Sequence, residues 1–143
     1  MHEEVVRARG HENVSAEHAS TFEVTSDDWL TPAGDCILAV EADRVPADFS
    51  TAFVDACRDA EAAITVTVEV ETADGETLGE RVEGRGHPDL TFEGDRSHVG
   101  RTSDYVDDRT VLVGADAAAA DFDRDFVAAL ADGGDVTVTF RVE

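Results

Sequence analysis

The chain has 143 residues, with 33 acidic side chains against 11 basic ones and a formal charge of −22 at pH 7. That length is one ordinary domain, able to bury roughly 68–70% of its unfolded surface without disulfides or metal. The two cysteines, Cys36 and Cys57, are too few for a secreted disulfide framework and lack metal-motif spacing, which excludes both classes.

No apolar run approaches the ~18–20 residues that cross a bilayer. The segment Met1 to Arg7 has neither the basic nor the apolar region of a signal peptide, so a cytoplasmic protein with no membrane partner is expected. Every basic residue is an arginine, and the arginines are scattered along the chain. Phosphate contacts need clustered cations, so no nucleic-acid partner is expected. In dilute buffer so acidic a surface repels itself, whereas at about 1 M salt the Debye length falls to roughly 3 Å and the repulsion is screened. Acid-rich, lysine-free and alanine/valine-heavy composition therefore reads as a halophilic archaeal protein that needs high salt.

In chain order, the elements fall into two copies of one β-β-β-α-β unit. Arg9-Gly10-His11 closes the first strand of one copy, and Arg85-Gly86-His87 that of the other. His18 and His98 each precede a short strand, and Thr25-Ser26-Asp27 is matched by Thr102-Ser103-Asp104. Ile37 to Val40 and Val111 to Val113 are short apolar runs suited to buried strands. Asp43 and Asp116, each after an alanine, read as helix N-caps. Phe49, Ala52, Phe53, Ala56 and Cys57 share one helical face, as do Phe122, Phe126, Ala129 and Leu130. Pro46 suits a first helical turn, and Gly133-Gly134 supplies a left-handed stop. The closing strands alternate, with Ile64, Val66, Val68 and Val70 answering Val136, Val138, Phe140 and Val142; the pattern predicts half-exposed antiparallel strands. Asp74-Gly75 is a hairpin turn at the junction, so the second copy begins on the returning arm, Thr77 to Gly86. The expected fold is α+β and β-rich, with mainly antiparallel, sandwich-like sheets and two helices. It forms a single domain over 1–143 with an internal duplication, the pseudo-repeats covering about 5–71 and 77–143.

No strong catalytic motif is present: neither a phosphate-binding Gly-rich loop, His-Glu-x-x-His, Gly-x-Ser-x-Gly nor Cys-x-x-Cys occurs. What remains is a polar set at strand ends. His11 and His87 are matched, and with His18 and His98 they raise a four-histidine metal site near the pseudo-two-fold axis; the alternative is ordinary strand-end polarity. Thr31-Pro32-Ala33-Gly34 is a turn that delivers Asp35 and Cys36 to the head of a buried strand. A carboxylate beside a thiol suits acid/base or nucleophilic work, against capping and core packing. Arg101, with Ser103 and then Arg109, suits a carboxylate or phosphate ligand, against pairing with nearby acids.

The stretches Gly10 to Val14, Thr21 to Thr25, Leu30 to Ile37, Gly86 to Thr91, Arg101 to Ser103, Arg109-Thr110 and Ala115-Asp116 together resemble an archaeal family, domain of unknown function 371. Leu30 to Ile37 is the most specific of them. Relatives carry lysine near Thr102 and Ala117 and methionine near His98, a departure that argues against His98 as a ligand. The resemblance implies an archaeal, β-rich, sandwich-like protein and transfers no activity, cofactor or catalytic residue.

The function that follows is a small-molecule binding protein for an anionic metabolite or nucleotide. Its candidate ligand-binding residues are His11, His18, Asp35, Cys36, His87, Arg101, Ser103 and Arg109, and catalysis and cofactor are left open. One alternative is an interaction or assembly module, with homo-oligomerisation. Another is a metal-dependent enzyme using His11 and His87, with His18 a further weak ligand candidate.

Overall fold

In the computed structural model, which describes residues 1–143, eight strands form two four-stranded sheets. The strands are β1 (His2–Arg9), β2 (Thr21–Thr25), β3 (Ile37–Ala39), β4 (Ala63–Glu71), β5 (Thr77–Arg85), β6 (Ser97–Arg101), β7 (Thr110–Leu112) and β8 (Asp135–Val142); the helices are α1 (Thr51–Cys57) and α2 (Arg124–Ala131). The first sheet runs β1-β8-β4-β5 and is antiparallel throughout. The second runs β3-β2-β6-β7. Its central pair is antiparallel, while the three-residue edge strands β3 and β7 run parallel to their neighbours. The chain is thus α+β and strand-rich, as expected.

Both orders read the same backwards once β1 is exchanged with β5, β2 with β6, β3 with β7 and β4 with β8. At the centre of the first sheet Thr67 faces Thr139, and at the centre of the second Glu23 faces Val99. Counted from Ile64 and Val136, Thr67 and Thr139 occupy matching places, and Glu23 and Val99 do so counted from the Arg-Gly-His triplets. By the same count the Thr-Ser-Asp tripeptides are one residue out of step, for Thr25 ends β2 whereas Thr102 lies just beyond β6.

Side-chain alternation selects the buried face. Ile64, Val66, Val68 and Val70 of β4 and Val138 of β8 have no exposed surface, and each such residue contributes roughly 1.5–3 kcal/mol. The β5 partners thin out: Gly84 lets Leu112 and the Val113 carbonyl approach closely. In the second sheet Gly100 stands opposite Phe22 with its missing Cβ directed into the Phe22 ring.

The helices start later than the apolar periodicity suggests. Pro46–Asp48 and Ala119–Asp121 are single 3₁₀ turns, and the helices proper begin after N-caps Ser50 and Asp123. Ser50 Oγ accepts the Phe53 N–H, and the Asp123 carboxylate accepts the Asp125 N–H. Asp43 and Asp116 are therefore not helix caps. Their carboxylates accept the Arg7 and Glu83 N–H groups at 2.9 and 3.0 Å, and their own N–H groups return to the carbonyls of the same two residues. Each aspartate stands in for a missing neighbouring strand on an outer edge of the first sheet, satisfying backbone groups that otherwise meet only water.

Gly100→Ala should drive a methyl into Phe22 and cost about 1–3 kcal/mol. Denaturant unfolding of the variant should show a lower midpoint at unchanged slope.

Candidate functional site

β1 and β5 run in opposite directions on the two outer edges of the first sheet, so the turns that follow them lie at diagonally opposite corners. His11 follows β1 and His87 follows β5. Three strand spacings across and most of a strand's length along put them on the order of 25 Å apart. His11 Nδ1 accepts the Asn13 N–H at 3.0 Å, and His87 Nδ1 accepts the Asp89 N–H at 3.0 Å. His18 Nδ1 likewise accepts the N–H groups of Ser20 and Thr21. All three imidazoles brace local turns through this nitrogen. No group of three or more His, Cys, Asp or Glu side chains is placed to hold a metal ion.

His98 does not precede its strand but lies within β6, 2% exposed, packed 5.3 Å from Phe49 and 5.1 Å from Phe140 between ring centroids. Its Nε2–H donates to the Arg44 carbonyl at 2.8 Å, which leaves Nδ1 buried with no partner. Burial pushes its pKa down to about 4. It is a neutral core side chain.

Asp35, Cys36 and His18 lie near one another where β2 and β3 begin. The Asp35 carbonyl accepts the Glu17 and His18 N–H groups, and the Cys36 thiol points at Glu23 Oε1, 3.6 Å away. Burial, with the Glu23 charge behind it, raises the Cys36 thiol to about 11. Cys57, wholly buried on α1, is pushed up to about 12. Both thiols hold their protons at neutral pH, which leaves neither as a poised nucleophile.

The remaining candidates meet around Asp107. Arg101 donates from Nε to Thr110 Oγ1 and from Nη2 to Asp107, each at 2.9 Å, and lies 4.8 Å from the Tyr105 ring centroid. Arg109 donates to the same Asp107 oxygen at 3.3 Å. Ser103 Oγ accepts the Tyr105 N–H. Partial burial alone would raise Asp107, but the Arg109 N–H, the Arg101 charge and the Thr110 hydroxyl together hold it below the ordinary carboxylate range. Arg101 and Arg109 are thus both tied to one carboxylate of their own loop.

That loop forms one wall of a cleft. Asp104 to Asp108 face His87, Asp89, Thr91 and Glu93 across a space of about 640 Å³. Five of the nine lining residues are carboxylates, against 33 of 143 in the chain, so the acidity is local as well as global. Of the sequence candidates His87 lines this cleft and Arg101, Ser103 and Arg109 hold its wall, whereas His11, His18, Asp35 and Cys36 stand outside it. Sequence reasoning passed over Tyr105, Asp89, Glu93, Asp107 and Asp108. The available signal was that the chain's single tyrosine sits among closely spaced aspartates.

The sequence profile of a domain of unknown function, DUF371, matches residues 6–143. The chain belongs to the DUF371 family. It is 39% identical over 129 residues to an uncharacterised protein of the archaeon Methanocaldococcus jannaschii, covering 90% of this chain and 91% of that one. DUF371 membership thus spans both sheets and both walls of the cleft. No helix of this DUF371 chain is long and apolar enough to cross a membrane.

His98 makes stability pH-dependent. The unfolded imidazole takes a proton near its ordinary value of 6.5, the folded one only near 4. The stabilisation is therefore present above pH 6.5 and lost as pH falls from about 6.5 to about 4, by about 3 kcal/mol in all. Measured against His98→Phe by chemical unfolding, the wild type should lose ground across that window and run parallel to the variant above it.

Proposed function

We propose that the protein is a small-molecule binding protein whose ligand is cationic, held in the cleft between His87–Glu93 and Asp104–Asp108. The observation that carries this reading is the sign of the lining: of its five carboxylates only Asp107 is paired with arginine. An anionic ligand would meet the remaining four at close range, whereas an ammonium group would find carboxylates and the exposed Tyr105 ring together. This reading favours a cationic metabolite over an anionic one. Arg101 and Ser103 keep a part in it as positioning residues, for Arg101 lies over the Tyr105 ring and Ser103 accepts the Tyr105 N–H. The two matching halves we read as a duplicated β-β-β-α-β unit. The acidity of the rest of the surface we read as adaptation to high salt.

The test is a titration of the protein with the diamine putrescine, followed by NMR in molar KCl so that diffuse attraction is screened. Shifts should concentrate on His87, Tyr105 and Asp104, and Asp104→Asn with Asp108→Asn should weaken binding about tenfold, roughly 1.4 kcal/mol. Shifts spread evenly over the acidic surface would defeat the proposal.

A further inference from the structure

The two outer strands of the first sheet differ in how their free edges are closed. In β1 the odd-numbered residues direct N–H and C=O outward, because the even-numbered ones bond β8; the Gly10 N–H donated to the Gly134 carbonyl continues that ladder. Arg9 is closed by reciprocal bonds with Val40, Arg7 by Asp43, and the Val5 carbonyl by Arg44 Nη1 at 3.1 Å, which leaves the Val5 N–H and the Glu3 groups open. In β5 the outward residues are again the odd ones, as the Gly86 N–H donated to the Ala62 carbonyl shows. Arg85 is closed by Val113 and Glu83 by Asp116. There the protection stops. The counterpart of Arg44 is Ala117, whose methyl offers no donor to the β5 edge, and the N–H and C=O groups of Arg81, Gly79 and Thr77 have no protein partner. This open ladder is about 14 Å long.

Beside it lies a depression of about 240 Å³ between β5 and the start of α2, lined by Leu78, Gly79, Glu80, Asp123, Asp125 and Phe126. Leu78 and Phe126 supply apolar walls, and Glu80, Asp123 and Asp125 supply the charge. A strand laid on the β5 edge would point alternate side chains toward this side of the sheet, as Leu78 and Glu80 themselves do. A long basic side chain fits that place, its methylenes on Leu78 and Phe126 and its cation among the carboxylates.

We propose that the Thr77–Arg81 edge of β5 is a strand-addition site for an extended basic segment of a partner protein. Backbone pairing at Gly79 and Arg81 supplies the affinity, and the Leu78–Phe126 depression selects an arginine or lysine. A second copy of this chain is a poorer occupant, since it would bring a second set of Glu80, Asp123 and Asp125 to the same place on a molecule of charge −22. The site is independent of the His87–Tyr105 cleft.

The probe is a capped hexapeptide of alternating threonine and arginine, added to the isotope-labelled protein in molar KCl. The Gly79 and Arg81 amide signals should shift, and their hydrogen exchange should slow about tenfold. Ala117→Arg, which supplies on this edge the side chain that caps the Val5 carbonyl of β1, should abolish the effect while leaving the rest of the spectrum in place. Gly79→Pro, which removes one open N–H where a Cβ meets only ordinary contacts, is the second blocking variant should the first not fold. No peptide-induced change at Gly79 and Arg81, changes confined to the His87–Tyr105 cleft, or equal binding of a threonine–glutamate peptide would each overturn the proposal. So would concentration-dependent protection of the same amides without peptide, which would assign the edge to a second copy.

Discussion

The ladder between β4 and β8 ties the last strand of one half of the chain to the last strand of the other, from Ile64 opposite Val142 to Val70 opposite Val136. Every inward residue on it is apolar and at most 2% exposed. Because its strands lie far apart in sequence, this pairing closes a long loop, and its burial must offset that entropy before anything else can form on it. Once it exists, β1 and β5 have only one free edge each to add to, and the helices that precede β4 and β8 are brought onto the inner face. The second sheet repeats the arrangement around β2 and β6.

The two halves share their element order but not their polar interior. Glu4 and Glu80, at matching places on β1 and β5, each accept the N–H of a helix N-cap residue, Ser50 and Asp123 respectively. Around Glu4 the first half adds Arg44, which pairs with it at 2.9 Å, lies over the Phe49 ring and offers its carbonyl to His98. At the matching positions stand Ala117, for Arg44, and Phe22, for His98. One substitution pair thus decides two properties together. It gives the surroundings of Glu4 a partly buried ion pair and a titratable core histidine, and it caps a β1 carbonyl, that of Val5, whose β5 counterpart is left uncapped.

Charge follows the same logic of position. With eleven arginines against thirty-three acids, most cations are committed to particular jobs. Arg96 forks onto Asp27 beside Trp29, Arg101 and Arg109 brace Asp107, and Arg124 gathers the carbonyls of Ser15, Ala16, Ala119 and Phe122 around the start of α2. Of what remains uncompensated, four carboxylates meet where two loops face each other, and that is the cleft.

The alternation of Ile64, Val66, Val68 and Val70, the Asp74-Gly75 turn and the glycines after α2 were legible because each is a local signal: strand period, turn chemistry, left-handed backbone. They specified the strands, helices and their order without reference to anything distant. The parallel edge strands, the displacement of His98 into the core and the true work of Asp43 and Asp116 were not legible, since each depends on which strand lies alongside. The candidate site divided in the same way. Residue type alone marked His87, Arg101, Ser103 and Arg109 as polar groups at strand ends. Only the opposed directions of β1 and β5 separated His11 from His87, and only the meeting of the 87–93 and 104–108 loops joined His87 to Tyr105. Local sequence determines what each segment is, but a binding surface is a relation between segments, and strand direction and pairing in the folded sheet are what set that relation.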